Sequence, residues 1–175
     1  MRLGYFAMLI VDDCEDDCRL IERALLKNGL TGPLRFVDSG NEAIAYFKGD
    51  GKYAHRKEFP YPSIVITGLK MSPGDGFSVL AYLKAHPEWA VIPVLMFSNS
   101  DDLDDIKRAY CLGASCYARK PSKPAELERF LGLFYDFWVE CEVPQIDVNG
   151  KRTRTSSEGK LGARFTQDVL APISI

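Results

Sequence analysis

No run of apolar residues in this 175-residue chain approaches the roughly 18 needed to cross a bilayer. The longest opening run, Tyr5 to Val11, is cut by Asp12 and Asp13, and no charged segment followed by an apolar stretch and a small-residue cleavage site marks a secretory leader. Cysteine is sparse and odd in number: Cys14, Cys18, Cys111, Cys116 and Cys141 contain no CxxC pair, which argues against a disulfide framework or a zinc ribbon. There are two histidines, His55 and His86, far apart and not at ligand spacing, so surface roles are expected for both. Neither GxxxxGK[ST] nor GxGxxG follows any candidate strand, which weakens a nucleotide-binding reading. Charge of one sign is also missing: 22 Lys and Arg against 24 Asp and Glu give a net charge of -2, with no bulk attraction to nucleic acid or anionic membranes. The expectation is a reduced, cytoplasmic protein that binds neither.

What is present is ample core material, with 46% hydrophobic and 11% aromatic residues in a length suited to one domain with an appendage. Short apolar runs alternate with helix-period segments as far as about Glu140, the pattern of βα units around a parallel sheet buried on both faces. Five strands are expected, at Tyr5 to Val11, Leu34 to Val37, Ser63 to Thr67, Val94 to Phe97 and Ser115 to Ala118. The helical patterns run from Glu15 to Lys27, Asn41 to Phe47, Phe77 to Ala85, Asp102 to Leu112 and Ala125 to Glu140. Asn28-Gly29 stops the first helix and Pro124 suits the first turn of the last. Residues 1–143 read as the domain and 144–175 as a mildly basic C-terminal extension. There, Asn149-Gly150 between Ile146-Asp147-Val148 and Lys151-Arg152-Thr153 suggests a β-hairpin with a two-residue type I′ turn, the alternative being a disordered tail.

In a parallel α/β sheet the functional site lies beyond the carboxyl ends of the strands. There the sequence places Asp12-Asp13 after the first strand, Ser98 after the fourth and Lys120-Pro121 after the fifth. Two carboxylates suit a hard divalent cation such as Mg²⁺, a hydroxyl binds a phosphoryl oxygen, and a lysine gives that anion a counter-charge. Singly, each has a plainer explanation in a helix N-terminus, a turn or a solvated surface. Together, at three strand ends, they point to a phosphoryl-binding pocket. Cys14, Cys18, Ile21 and Leu25 fall at i, i+4, i+7 and i+11, so the cysteines of the first helix read as core, while Cys111 and Cys116 flank the Gly113 turn and are expected to be partly exposed. The last helix has two apolar faces. Leu127, Phe130, Leu131, Phe134 and Trp138 form one, and Leu133 and Phe137 a second, read as a homodimer contact in preference to cover by the tail.

The order Asp12-Asp13, Met71 to Asp75-Gly76, Ile92-Pro93-Val94 to Ser98, and Tyr117 to Lys120-Pro121 resembles the receiver domain of two-component response regulators, over roughly residues 5 to 140. The Lys52-Tyr53-Ala54-His55-Arg56 stretch and the Phe137-Trp138 to Val143-Pro144 ending are similar to receiver-only regulators that partner bacterial phytochromes. The resemblance implies a flavodoxin-like (βα)5 doubly wound parallel five-stranded sheet. It also implies Mg²⁺ on Asp12 and Asp13, Ser98 as the hydroxyl that swings towards a phosphoryl group, Tyr117 as the aromatic that moves inward, and Lys120 as its conserved lysine. The partner would be a sensor histidine kinase, bacteriophytochromes included. Counting back from Asp75-Gly76, however, the phosphoacceptor position is Gly68, which has no carboxylate. Thr67 would point to the opposite face, and Ser72 stands where the family usually has proline. Glycine at 68 also raises the expectation of a backbone angle that aspartate would strain. The resulting expectation is a pseudo-receiver that is not an enzyme, binds Mg²⁺ weakly and acts through protein contacts. One alternative is a phosphorylatable regulator inactivated by substitution at Gly68, whether naturally or by design. The other is a haloacid-dehalogenase-like phosphatase, which would need a DxD motif that Asp12-Asp13-Cys14 lacks.

Overall fold

The computed structural model describes residues 6–153. In chain order the elements are β1 (Met8–Val11), α1 (Glu15–Lys27), β2 (Leu34–Val37), α2 (Gly40–Lys48), β3 (Ile64–Thr67), α3 (Gly76–Ala85), β4 (Val94–Ser98), α4 (Leu103–Cys111), β5 (Cys116–Arg119) and α5 (Pro124–Glu140), with a short 3₁₀ turn at Gly51–Ala54. The five strands form one parallel sheet in the order β2-β1-β3-β4-β5. This is the expected flavodoxin-like arrangement, and the expected strands and helices shift by no more than one residue at their ends, except that the first strand begins at Met8. Tyr5, the expected start of the first strand, lies outside the described residues.

Side chains that alternate along each strand fill two cores. Leu9, Val11, Val65, Val94 and Met96 face one layer, where Ala43, Tyr46 and Phe47 of α2, Val79, Leu80 and Leu83 of α3, and Ala109 of α4 pack. Met8, Ile10, Ile64, Ile66, Leu95 and Phe97 face the other, against Ile21, Ala24 and Leu25 of α1 and Leu127, Leu131, Phe134 and Tyr135 of α5. Each large side chain so buried contributes on the order of 1.5–3 kcal/mol, which fixes the strand ends that carry the polar residues. The α1–α5 contact is close: a Cβ at Gly132 would meet the Asn28 side chain at 2.6 Å. Asn28 caps α1, and Gly29 follows with φ +89°.

Three expectations are corrected. Cys14 is exposed, because it is the extended residue before α1 and not part of the helix; the buried stripe is Ile21, Ala24 and Leu25, with Cys18 half-buried above it. His86 is half-buried, stacked on Trp89 at 4.6 Å and donating from Nδ1 to the Tyr82 carbonyl at 2.8 Å, because the α3–β4 connection gathers aromatic rings there. The hairpin exists, with Ile146 bridged to Arg152, but its loop is Val148-Asn149-Gly150. Only Gly150 has positive φ (+75°), whereas a type I′ turn needs it at both central residues. The Asp147 carboxylate accepts from the Asn149 and Lys151 amides and so favours the three-residue loop. Lys151 and Arg152 reach Glu88, and Gly150 lies against Tyr61 and Trp89, so this segment packs on the α3–β4 connection.

Candidate functional site

The site is assembled by the main chain before any side chain acts. Val11 of β1 lies opposite Thr67 of β3, so the residues that follow them, Asp12 and Gly68, are neighbours at the carboxyl edge of the sheet. The Gly68 amide donates to the Val11 carbonyl at 2.8 Å, and the Asp12 amide to the Val37 carbonyl at 3.0 Å. On the other side, the Lys120 amide donates to the Ser98 carbonyl at 2.8 Å, joining β5 to the end of β4.

Asp12 is buried and both its carboxylate oxygens are engaged. Oδ1 accepts from the Cys14 amide at 3.0 Å and Oδ2 from the Lys120 ammonium at 2.6 Å. The same Nζ donates to Asp17 Oδ2 at 2.6 Å. Side-chain exposures of 11% for Lys120 and 4% for Asp12, against 31% for Asp17, put the inner half of this triad out of water. Burial pulls the Lys120 pKa down, but the hydrogen bonds and charges of Asp12 and Asp17 outweigh it, so the pKa is raised and the group is an ammonium at any physiological pH. Asp13 is exposed and takes no part in these bonds. With Asp12, Glu15, Asp38, Glu42, Lys52 and Tyr53 it lines an open acidic cleft of about 440 Å³.

Gly68 faces this triad. A Cβ built on it would lie 3.3 Å from Asp12 Oδ2 and 3.5 Å from Met71 Sδ, so a side chain at 68 would enter the pocket beside Asp12. The expectation of strain is corrected: Gly68 is not among the glycines with positive φ, so its backbone is open to any L-residue. The Asp75 carboxylate caps α3, accepting from the Ser78 amide and hydroxyl. Gly76 is required by contact, since a Cβ there would be 2.1 Å from the Gly68 carbonyl. Thr67 is fully buried, its hydroxyl donating to the Gly68 carbonyl at 3.0 Å.

Ser98 is buried at the strand end, its Oγ accepting from the Ser100 amide at 3.1 Å. Tyr117 donates through its hydroxyl to the Ser100 carbonyl at 3.0 Å, and the Ser100 hydroxyl donates to Asp105 at 2.8 Å. The sequence-predicted residues therefore fall into two linked groups: Gly68 and Lys120 each meet Asp12, while Ser98 and Tyr117 meet through Ser100. Sequence reasoning missed Asp17 and Ser100. Asp17 lies one turn before Ile21 on the buried stripe of α1, and a carboxylate at such a position is a signal that could have been read. Cys18, beside Asp12, has its thiol pushed up to about 11 by burial and then by the Asp12 charge, which disfavours a thiolate switch there. Leu133 and Phe137 lie away from this site on α5, 57% and 63% exposed.

The chain matches the family model of the response regulator receiver domain over residues 8–131. It is 29% identical to the response regulator Rcp1 of Synechocystis over 133 residues, covering 76% of this chain and 88% of that one. A probable methanogenesis regulatory protein, FilR2 of Methanothrix harundinacea, is 28% identical over 137 residues, 77% of this chain and 84% of the relative. Among solved structures, the phosphorylated cyanobacterial phytochrome response regulator RcpA superposes with a TM-score of 0.76 at 30% identity, over 81% of this chain and 100% of the other. The Mn(2+)-bound form of Rcp1 gives a TM-score of 0.73 at 28% identity, over 79% and 99%. Receiver domains bind Mg²⁺ or Mn²⁺ at the acidic strand-end site and are signalling proteins, generally not enzymes. With the five-stranded order, the buried Asp12 and the Lys120 that reaches it, this match over most of its length shows that the chain belongs to the response regulator receiver domain family.

Proposed function

We propose that this receiver works without aspartyl phosphorylation: it is a pseudo-receiver of a two-component phosphorelay system that carries its signal by protein contacts and catalyses no reaction of its own. The observation that carries this reading is Gly68, whose missing side chain would project beside Asp12, where a phosphoacceptor carboxylate would have to stand. Glycine offers no oxygen to attack a phosphohistidine or acetyl phosphate. The nearby carboxylates do not replace it, since Asp12 is bound by Lys120 and the Cys14 amide, and Asp75 is bound within α3. Ser98, Tyr117 and Lys120 are then the remaining phosphoryl-pocket and switch positions, held by Ser100, Asp12 and Asp17.

The similarity to RcpA, a cyanobacterial phytochrome response regulator, supports a sensor histidine kinase of the bacteriophytochrome type as the partner system. This reading puts the protein in the cytoplasm, and its net charge of -2 supports the absence of nucleic-acid or anionic-membrane partners. Among the described residues no helix is long and apolar enough to cross a membrane. The exposed Leu133 and Phe137 on α5 support a symmetric homodimer through that face, because the hairpin packs on Glu88, Tyr61 and Trp89 instead.

Incubation of the full chain with Mg²⁺ and acetyl phosphate, followed by intact mass measurement, tests the reading. No stable phosphoryl adduct is expected. A stoichiometric adduct labile to base would overturn it and point to Asp12 or Asp13 as the acceptor.

A further inference from the structure

The family's divalent metal and the residues of this pocket do not fit one another. Mg²⁺ and Mn²⁺ take several bare oxygen ligands, and each anionic oxygen adds to affinity. Here one oxygen of Asp12 is occupied by an amide and the other by an ammonium at 2.6 Å. Position 68 supplies no carboxylate, and the described residues contain no group of three or more His, Cys, Asp or Glu placed to hold a metal. What stands among the carboxylates is Lys120, fixed from two sides by Asp12 and Asp17.

We infer that the Lys120 ammonium is the resident cation of this pocket and that Asp17 is the positioning residue that keeps it there, so that a built-in monovalent charge stands where a receiver would bind a divalent metal. The inference rests on the reading of Gly68 given above and extends it to how the pocket is controlled. Without a counter-cation Asp12 would be a buried anion short of a partner, a costly state. Lys120 neutralises it, and the second carboxylate, on the first turn of α1, holds the ammonium in place with a bond of the same length. The triad thereby joins the loop after β5 to α1 and to the end of β1. Two carboxylate oxygens that contact one nitrogen lie close enough to share one metal ion. Removing the ammonium therefore frees one oxygen each of Asp12 and Asp17 for a cation.

The test is Mn²⁺ binding by the full-length chain, measured by titration calorimetry and by the free Mn²⁺ signal in electron paramagnetic resonance. Lys120→Met and Lys120→Gln should each bind Mn²⁺ at least about tenfold more tightly than the parent, through the loss of a neighbouring positive charge. Adding Asp17→Asn to either should abolish most of that gain, which a merely structural role for Asp17 would not do. The glutamine variant keeps a hydrogen-bond donor for Asp12 and guards against a methionine variant that fails to fold. Affinity unchanged in both single variants, a parent that already binds as tightly as they do, or a gain that survives Asp17→Asn would each overturn the inference. The outcome is separable from the phosphorylation test. A parent that binds Mn²⁺ tightly yet takes up no phosphoryl group would overturn the resident cation alone, and phosphoryl uptake would overturn the reading on which it rests.

Discussion

Around residue 68 a side chain would enter a pocket that Asp12 and Lys120 already line, and glycine leaves that position bare. Asp12, Ser98 and Lys120 were legible in the sequence because each falls at the carboxyl end of an apolar strand, where a parallel sheet puts its chemistry. Asp17 was not, because acidic residues in the first turn of a helix, here Glu15, Asp16 and Asp17, already have a general explanation in the helix dipole. Ser100 was not either, since its role comes from the path of the β4–α4 loop. Backbone strain at Gly68 was expected from the residue type alone, but the backbone angles show none. Cysteine chemistry can be settled at this scale. Cys14 and Cys111 are exposed, whereas Cys18 has its thiol pushed up to about 11, by burial first. A folded-state pKa raised above the unfolded thiol's means that the neutral form is favoured by folding, a contribution present below about pH 8.5 and lost as pH rises through about 11. Alkylation with iodoacetamide at pH 8, followed by peptide mapping, should therefore label Cys14 and Cys111 well before Cys18. Labelling of Cys18 at the rate of Cys14 would show that its surroundings do not protect it.

Among the elements, α5 carries the clearest functional signal because its two faces differ so sharply. Leu127, Leu131 and Phe134 are buried on the sheet and Phe130 stacks on Phe97 at 5.3 Å, while Leu133 and Phe137 face outward. Heptad-like spacing was enough to separate the two faces. It did not identify Tyr135, which is buried by the approach of α1 and donates to the Gly29 carbonyl at 3.3 Å. The C-terminal hairpin was legible as a turn but not as a contact, since nothing in Lys151-Arg152 names Glu88 as their partner. If α5 forms the dimer, Phe137→Asp would bury an unpaired carboxylate in a desolvated contact, at a cost of about 2 kcal/mol or more. Sedimentation velocity at tens of micromolar should then show a dimer for the parent and a monomer for the variant, with unchanged circular dichroism because Phe137 is exposed within one chain. A monomeric parent would remove α5 as a dimer face, and an unfolded variant would make Phe137 part of the core.

At the scale of the whole molecule, the sheet order β2-β1-β3-β4-β5 brings residues as distant in the chain as Asp12 and Lys120 to one carboxyl edge. Strand alternation and the turn residues revealed this topology in the sequence and brought Lys120 within reach of Asp12 or Asp13, whereas Asp17 as its second partner depended on the rotation of α1, which a single sequence does not state. If the pocket is intact apart from its acceptor, Gly68→Asp should complete it. The new carboxylate would start beside Asp12, whose Oδ2 must yield by a few tenths of an ångström from the 3.3 Å contact. It would supply both a nucleophile and the third anionic group that lets Mg²⁺ compete with Lys120 for Asp12, while the cations of the pocket stabilise the transferring phosphoryl oxygens. The most direct measurement is intact mass of the parent and of Gly68→Asp after incubation with acetyl phosphate, with and without Mg²⁺. The predicted result is Mg²⁺-dependent phosphorylation of Gly68→Asp and none of the parent. A well-folded Gly68→Asp that takes up no phosphoryl group, or a parent that does, would contradict the account.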